Sequence, residues 1–253
     1  MFQHVIVRTP CQSLIEGITS ANLGLPDLAL AMSQHEQYIA ALRQCGVALT
    51  ILPPLDAYPD SVFVEDAALC TPHCVVVTRP GADSRRGEAA LMEPVASRFY
   101  ECVERIEAPG TLEGGDVMMV GRHYYIGLSG RTNAAGAEQL IAILQRYGLS
   151  GSAVPLTEFL HLKTGCSYLE DNVLLATGEF LSRPEFAAFD IIAVPPEQAY
   201  AANAIRVNDK VIMPAGFPVI RAEIERRGMT VLEVPMSEFE KLDGGVSCLS
   251  LRF

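Results

Sequence analysis

A short unit recurs five times along this chain of 253 residues, and this recurrence restricts the fold more than any other feature of the sequence. Each copy is an acidic or amide cluster followed by a short apolar segment that is typical of a strand. The copies begin at Glu65, Glu113, Glu170, Asn208 and Asp243, so successive starts are 48, 57, 38 and 35 residues apart. Repeats at such a spacing indicate modules that each form one supersecondary unit and pack against their neighbours.

Helical patterns between the copies complete the predicted modules. A helix is expected from the N-cap Asn133 to Gly148, and further helices over residues 84–98 and 219–227. The fifth copy lies at the C-terminus, so its helix must come from residues 33–45, which begin with a Ser and Glu capping box. This return predicts a closed α/β ring of five strand-strand-helix-strand modules, with residues 1–253 in a single domain. For the third and fourth copies we expect simple turns.

Charge and hydropathy exclude several classes of function. The chain has 19 Lys and Arg against 30 Asp and Glu, a formal charge of −11, and no basic run. Nucleic acid and an anionic membrane are therefore poor partners, whereas a cationic small molecule is a suitable one. Apolar runs reach only five residues, as in Leu140–Leu144, far below the roughly 20 of a membrane span. The first residues also lack the pattern of a signal peptide, which predicts a cytoplasmic protein.

The cysteines do not form a paired pattern. Seven of them are scattered along the chain, an odd number without the spacings of a disulfide framework. The stretch Cys70–Cys74 contains a histidine, but a structural zinc site requires four ligands. We therefore expect a hairpin turn there and no metal site.

Three residues offer the groups needed for nucleophilic catalysis at carbon. Cys248 follows Gly244 and Gly245, which allow the backbone to approach a ligand closely. His161 is the histidine left in a loop once the others are assigned to strands, helices and hairpins, and Glu113 begins a Gly-rich acidic turn. Each residue alone is more typical of a structural role. Together they provide a thiolate, a proton carrier and an orienting anion.

The motifs that contain these residues resemble the bacterial dimethylarginine dimethylaminohydrolases when they are read in order. The motifs are Asp60–Asp66, Glu113–Asp116, His161–Gly165 and Gly244–Cys248. The resemblance extends from Phe2 to Phe253 and implies a pentein, a five-module α/β propeller around a pseudo-fivefold axis. That implied fold agrees with the ring predicted independently from the repeats.

The resemblance implies a hydrolase that converts N-omega-methylated arginines to citrulline and dimethylamine or methylamine without a cofactor. Cys248 would be the nucleophile of a covalent amidino-cysteine intermediate, and His161 the general acid and then the general base. Glu113 and Asp66 would hold the guanidinium group. The substrate is a small molecule, and the resemblance is compatible with a homodimer.

The same resemblance assigns residues to the amino-acid end of the substrate. Arg85 and Arg131 would bind the α-carboxylate, and Asp60 would lie near the amino group with Glu65 nearby. Ile18 would belong to a mobile lid, at a position where the family often has leucine.

Three alternatives remain at this point. The first is an arginine or agmatine deiminase, although the spacing between the repeats leaves no room for the extra helical insertion of arginine deiminases. The second is an amidinotransferase, which would carry long insertions. The third is a non-catalytic binding protein on the same ring, which the joint presence of Cys248, His161 and Glu113 opposes.

Overall fold

The strands form five separate sheets of three strands each in a computed structural model that describes residues 1–253. In every sheet, the middle strand is antiparallel to one neighbour and parallel to the other. The strands are β1 (His4–Arg8), β2 (Ala48–Leu52), β3 (Ala68–Cys70), β4 (Val75–Val77), β5 (Val103–Arg105), β6 (Val117–Val120), β7 (His123–Leu128), β8 (Ser150–Pro155), β9 (Cys166–Tyr168), β10 (Val173–Ala176), β11 (Asp190–Ala193), β12 (Ile205–Val207), β13 (Lys210–Pro214), β14 (Thr230–Val234) and β15 (Leu251–Arg252).

Helices connect the second and third strands in four of the five modules. Four helices make this connection, namely α1 (Leu28–Gln44), α2 (Arg86–Ala96), α3 (Ala134–Arg146) and α5 (Pro218–Arg226). Two one-turn helices, α4 (Leu162–Gly165) and α6 (Ser237–Glu240), lie before β9 and after β14. The third module has only 3-10 turns in place of that helix, at Gly178–Ser182 and Pro184–Phe186. The predicted α/β ring of five modules is confirmed, with this exception in the third module.

The ring closes where the two ends of the chain meet. Strand β15 pairs antiparallel with β1, and α1 supplies the helix of that module, as predicted. The helix begins earlier than expected, because Asp27 is its N-cap and accepts a hydrogen bond from the Leu30 amide. The closure is also fixed inside the core, where the Tyr38 hydroxyl lies 2.6 Å from Ser250 Oγ. The predicted N-cap Asn133 of α3 is confirmed by its bond from the Gly136 amide.

Five short helical turns, which we call the axial turns, precede the first strands of the five modules. The axial turns are Val64–Ala67, Gly114–Asp116, Leu162–Gly165, Pro196–Ala202 and Ser247–Leu249. The first axial turn contacts the second and the fifth, and the third contacts the second and the fourth. The polar residues that flank these turns are thereby gathered at the centre of the ring.

The axial turns correct the register of the sequence repeat. The copies at Glu170 and Asn208 lie in hairpin turns between the first and second strands of their modules, where both residues adopt positive φ. This confirms the turns expected for them. The true counterparts of Glu65 and Glu113 in these two modules are the segments around His161 and Asn203, which precede β9 and β12. The repeat was therefore aligned wrongly at these two copies, because similar short motifs occur at different places in a module.

None of the helices has both the length and the apolar sequence needed to cross a bilayer.

Candidate active site

A narrow cleft at the centre of the ring collects eight of the nine residues predicted for the site. Its lining consists of Ile18, Asp60, Phe63, Asp66, Arg85, Glu113, Arg131, Leu160, His161, Leu242, Asp243, Gly244 and Cys248. Glu65 is the predicted residue that does not line this cleft. The sequence did not indicate Phe63, Leu160 or Leu242 as lining residues, because their types are common in cores, and it marked Asp243 only as the start of the fifth copy.

Cys248 lies in the fifth axial turn, and the two glycines before it are required by close packing. A Cβ atom on Gly244 would lie 2.3 Å from the Phe63 ring, and one on Gly245 would lie 2.4 Å from the Asn203 amide carbon. The Gly245 N–H points to the Cys248 Sγ at 3.3 Å. Burial, together with the negative Glu65 and Asp66, raises the pKa of Cys248 to about 12. The thiol is therefore protonated at neutral pH.

His161 precedes α4 and faces Glu113. Its Nε2 lies 2.7 Å from Glu113 Oε2, while Asp116 Oδ1 accepts the next backbone N–H, that of Leu162, at 3.0 Å. Burial disfavours the charged imidazolium, but the carboxylates of Asp66, Asp116 and Glu113 outweigh it and raise the pKa of His161 to about 9. His161 is therefore protonated at neutral pH, which is the state that a general acid requires.

Asp66 and Glu113 form a compact anionic pair beside this imidazolium. Asp66 accepts hydrogen bonds from the Gly115 amide at 2.9 Å and from Arg85 Nη1 at 2.6 Å. Burial opposes ionisation of Asp66, but the positive charges of His161 and Arg85 lower its pKa to about 2. The hydrogen bond from His161 likewise outweighs burial and lowers the pKa of Glu113. Both carboxylates are ionised, which suits them to hold a planar cation such as a guanidinium.

Three residues of the cleft lie close enough together to bind one metal ion. One donor atom from each of Asp66, Glu113 and His161 lies within 4.8 Å of the others. Their hydrogen bonds argue against that use. Asp66 is bonded to Arg85 and Gly115, and His161 to Glu113. A buried guanidinium next to the cluster also opposes a divalent cation.

The two arginines predicted for the substrate carboxylate differ in how many donors they have free. Arg85 is buried, and it bonds Glu88, Asp66, the Phe63 carbonyl and the Asp60 carbonyl. Most of its five N–H groups are therefore used within the protein. Arg131 is half-buried and makes one long contact, 3.4 Å from Nη1 to Glu113 Oε1. Arg131 is the arginine with donors free for a ligand.

The segment around Ile18 covers the cleft and is attached at three points. The Ile18 amide donates to Asp60 Oδ1 at 3.0 Å. The Ser20 amide and hydroxyl both donate to Asp243 Oδ2, at 2.5 and 2.9 Å, and the Thr19 hydroxyl donates to the Lys241 carbonyl at 2.7 Å. Burial raises the pKa of Asp60. These bonds hold the Ile18 segment against the cleft, and Asp243 accepts two of them.

Glu65 lies behind the cleft. Its Oε1 accepts from Lys163 Nζ at 2.6 Å and from Arg252 Nη2 at 2.8 Å, and its Oε2 has no hydrogen-bond partner. Arg252 also donates to the carbonyls of Ser247 and Ser250 on the two sides of Cys248. The structure thus places Glu65 in an ion cluster that supports the Cys248 turn. The sequence did not indicate Lys163 or Arg252, since isolated basic residues carry no pattern.

Comparisons with known proteins agree with this geometry. Residues 27–251 match the model of the family described as N,N dimethylarginine dimethylhydrolase, eukaryotic. The N(G),N(G)-dimethylarginine dimethylaminohydrolase of Pseudomonas aeruginosa is 61% identical and aligned over 100% of both chains. The enzyme of the same name from Streptomyces coelicolor is 37% identical over 98% of this chain and 95% of its own length.

Solved structures give the same result. A Pseudomonas aeruginosa cysteine-to-serine mutant complexed with citrulline superposes with a TM-score of 0.99 at 60% identity, covering both chains fully. The N-terminal domain of ArgZ, a cyanobacterial arginine dihydrolase, has a TM-score of 0.87 at 21% identity, covers 100% of this chain and 97% of that domain, and supports the fold alone. The chain belongs to the dimethylarginine dimethylaminohydrolase family.

Proposed function

We propose that this protein is a dimethylargininase that hydrolyses asymmetric dimethylarginine and monomethylarginine to citrulline and dimethylamine or methylamine. The observation that carries the proposal is the meeting of Cys248, protonated His161 and two ionised carboxylates in one cleft. The names of the full-length relatives agree with it.

The substrate guanidinium binds between Asp66 and Glu113. Charge-assisted hydrogen bonds to two fixed carboxylates orient its plane and present the central carbon to Cys248. The positive charge also offsets the effect of Glu65 and Asp66, which raise the pKa of the Cys248 thiol in the empty cleft. Substrate binding therefore promotes release of the thiol proton to solvent, which leaves the thiolate that attacks.

His161 moves the protons in both halves of the reaction. The Cys248 sulfur forms a bond to the guanidinium carbon, and the C–N bond to the methylated nitrogen breaks as His161 protonates that nitrogen. The amine then leaves, because an amide anion is too basic to depart unprotonated. Neutral His161 next takes a proton from water, which attacks the same carbon and breaks the C–S bond. Citrulline is released and the thiolate is restored.

The amino-acid end of the substrate lies toward the lid. Arg131 binds the α-carboxylate with its free donors, and Arg85 assists from its buried position. Asp60 and the Ile18 segment enclose the amino group. Glu65 acts from behind the cleft through its charge, without touching the substrate.

A substrate panel tests the proposal. The enzyme is incubated in parallel with asymmetric dimethylarginine, monomethylarginine, arginine and agmatine, and citrulline and each released amine are measured. Citrulline with dimethylamine from the first substrate is expected. Release of ammonia from free arginine at an equal or higher kcat/KM would instead favour an arginine hydrolase, and the absence of product from all four would reject the catalytic role.

Two variants test the roles of the catalytic residues. Cys248→Ser is expected to fold and bind substrate without turnover, because a hydroxyl has almost no anion at neutral pH. His161→Gly is expected to form the amidino adduct slowly and to retain it, which mass spectrometry of the Cys248 peptide detects. Residual activity above a few per cent in Cys248→Ser would remove the thiol from the mechanism.

We further propose one domain over residues 1–253, a cytoplasmic location and assembly as a homodimer. Light scattering measures the mass, and a monomer at micromolar concentration would contradict the dimer.

A further inference from the structure

The fourth module contributes one buried amide side chain to the centre of the ring. The cleft residues assigned above include Asp66, Glu113, His161 and Cys248, which lie at the first, second, third and fifth axial turns. The fourth axial turn is followed by Asn203, which is 4% exposed and lines a neighbouring cavity instead of the cleft.

Asn203 joins the turn of the nucleophile to the turn of the acid and base. Its Oδ1 accepts the Ser247 N–H at 2.9 Å, and its Nδ2 donates to Ser247 Oγ at 3.1 Å and to the Lys163 carbonyl at 2.8 Å. Ser247 is the residue before Cys248, and Lys163 follows His161 by two positions. One side chain therefore spans the two turns whose relative position sets the distance between thiolate and imidazole.

Asn203 also packs directly against the backbone that faces the sulfur. A Cβ atom on Gly245 would lie 2.4 to 2.6 Å from atoms of the Asn203 amide. The Gly245 N–H is the group that points to the Cys248 Sγ. Displacing Asn203 would therefore also shift the donor that stabilises the thiolate.

We propose that Asn203 is a positioning residue for the reaction, which fixes the Cys248 turn against the His161 turn. This inference rests on the proposed function. An amide is required because the site needs an acceptor for Ser247 N–H and a donor to the Lys163 carbonyl from one planar group. An aspartate keeps the acceptor and loses the donor. Asn203 does not line the cleft that takes the substrate, so its loss lowers kcat and leaves KM nearly unchanged.

The chain offers a matched control in Asn208. Its side chain also makes three hydrogen bonds to other segments, to the Phe2 amide and to the carbonyls of Phe2 and Cys45. Those bonds hold the N-terminal strand and lie outside the catalytic cleft. Asn208→Ala therefore removes a comparable set of contacts without touching either catalytic turn.

The test compares the steady-state kinetics of Asn203→Ala, Asn203→Asp and Asn208→Ala with the wild type on asymmetric dimethylarginine. Misplacing reacting groups by a fraction of an ångström reduces rates strongly, so Asn203→Ala is expected to lose about 10- to 100-fold in kcat with KM within about threefold. Asn203→Asp is expected to lie between Asn203→Ala and the wild type, because it retains the bond to the Ser247 amide. Asn208→Ala is expected to keep the wild-type kcat per folded molecule.

A second measurement keeps the outcome independent of turnover. The rate of Cys248 alkylation by iodoacetamide is followed against pH in the same proteins, and Asn203→Ala is expected to shift the profile while Asn208→Ala does not. Equal kcat per folded molecule and equal alkylation profiles in the two alanine variants would overturn the positioning role. A wild type that releases no citrulline would reject the proposed function, and the alkylation profiles would still decide the role of Asn203. If Asn203→Ala does not fold, Asn203→Asp decides by the same criteria.

Discussion

His161→Asn is expected to change the pH dependence of stability, because the raised pKa of His161 links folding to protonation. The variant removes the cation beside Asp66, Asp116 and Glu113 and leaves a neutral polar side chain. In the wild type, the folded pKa is about 9 against an ordinary 6.5. Between pH 6.5 and about 9, the folded state therefore holds a proton on His161 that the unfolded state has lost.

The sign and size of the effect follow from that difference. A group whose pKa is raised by folding stabilises fully below its unfolded pKa, and the stabilisation is lost as the pH rises through the folded pKa. From pH 6.5 to about 9, the wild-type free energy of unfolding should fall by about 3 kcal/mol relative to His161→Asn, at 1.36 kcal/mol per pH unit. His161 is only 7% exposed, so solvent screening reduces this figure little.

Urea unfolding of both proteins is measured between about pH 6 and pH 10 with a thiol reductant present. The slope of the free energy of unfolding against pH is proportional to the difference in bound protons between the unfolded and folded states. Subtraction of the two curves removes the titration of the shared groups that do not interact with His161. The control is His73→Asn, because it replaces an exposed histidine in the β3–β4 hairpin and leaves the cleft unchanged. Parallel curves for the wild type and His161→Asn would refute a stabilising imidazolium in this cleft.

The remaining predictions concern packing, the lid and selectivity. Gly114→Ala should destabilise the fold by about 3 kcal/mol, because its Cβ would lie 1.9 Å from the Glu65 carbonyl oxygen, and a urea midpoint within error of the wild type would contradict this. Asp243→Ala should accelerate hydrogen exchange at Ser20 and raise KM, since it removes both hydrogen bonds that hold the Ile18 segment at Ser20; unchanged exchange would show that these bonds do not hold the segment. Free arginine should be processed about 10- to 100-fold less efficiently than asymmetric dimethylarginine, because its two additional N–H donors would be left unpaired. A kcat/KM ratio near one would oppose that explanation.

The local features of this protein could be predicted from its sequence because they depend on residues that are close along the chain. The N-cap Asn133 and the helix after it follow from short-range hydrogen bonds and apolar spacing. The number of modules follows from the repeated strand and helix patterns. The closure of the ring follows from the C-terminal unit, which takes its helix from the N-terminal part of the chain. The motifs that contain Cys248, His161 and Glu113 indicated the chemistry, because nucleophilic catalysis needs those residue types together.

The direction of each side chain, in contrast, was decided by contacts between modules. Glu65 and Asp66 are adjacent in sequence, but Asp66 faces the cleft while Glu65 pairs with Lys163 and Arg252, which are distant along the chain. Arg85 uses most of its donors on buried protein groups.

Asn203 gave no signal in the sequence, because an isolated asparagine before a strand is typical of any turn. Its role depends on the distance between two segments, one containing Lys163 and the other Ser247. That distance exists only once the five modules have closed into a ring. The sequence therefore determined the modules and the catalytic residue types. The tertiary structure determined which side chains face the substrate and which hold the catalytic residues in place, because burial and hydrogen bonding between distant segments select the direction of each side chain.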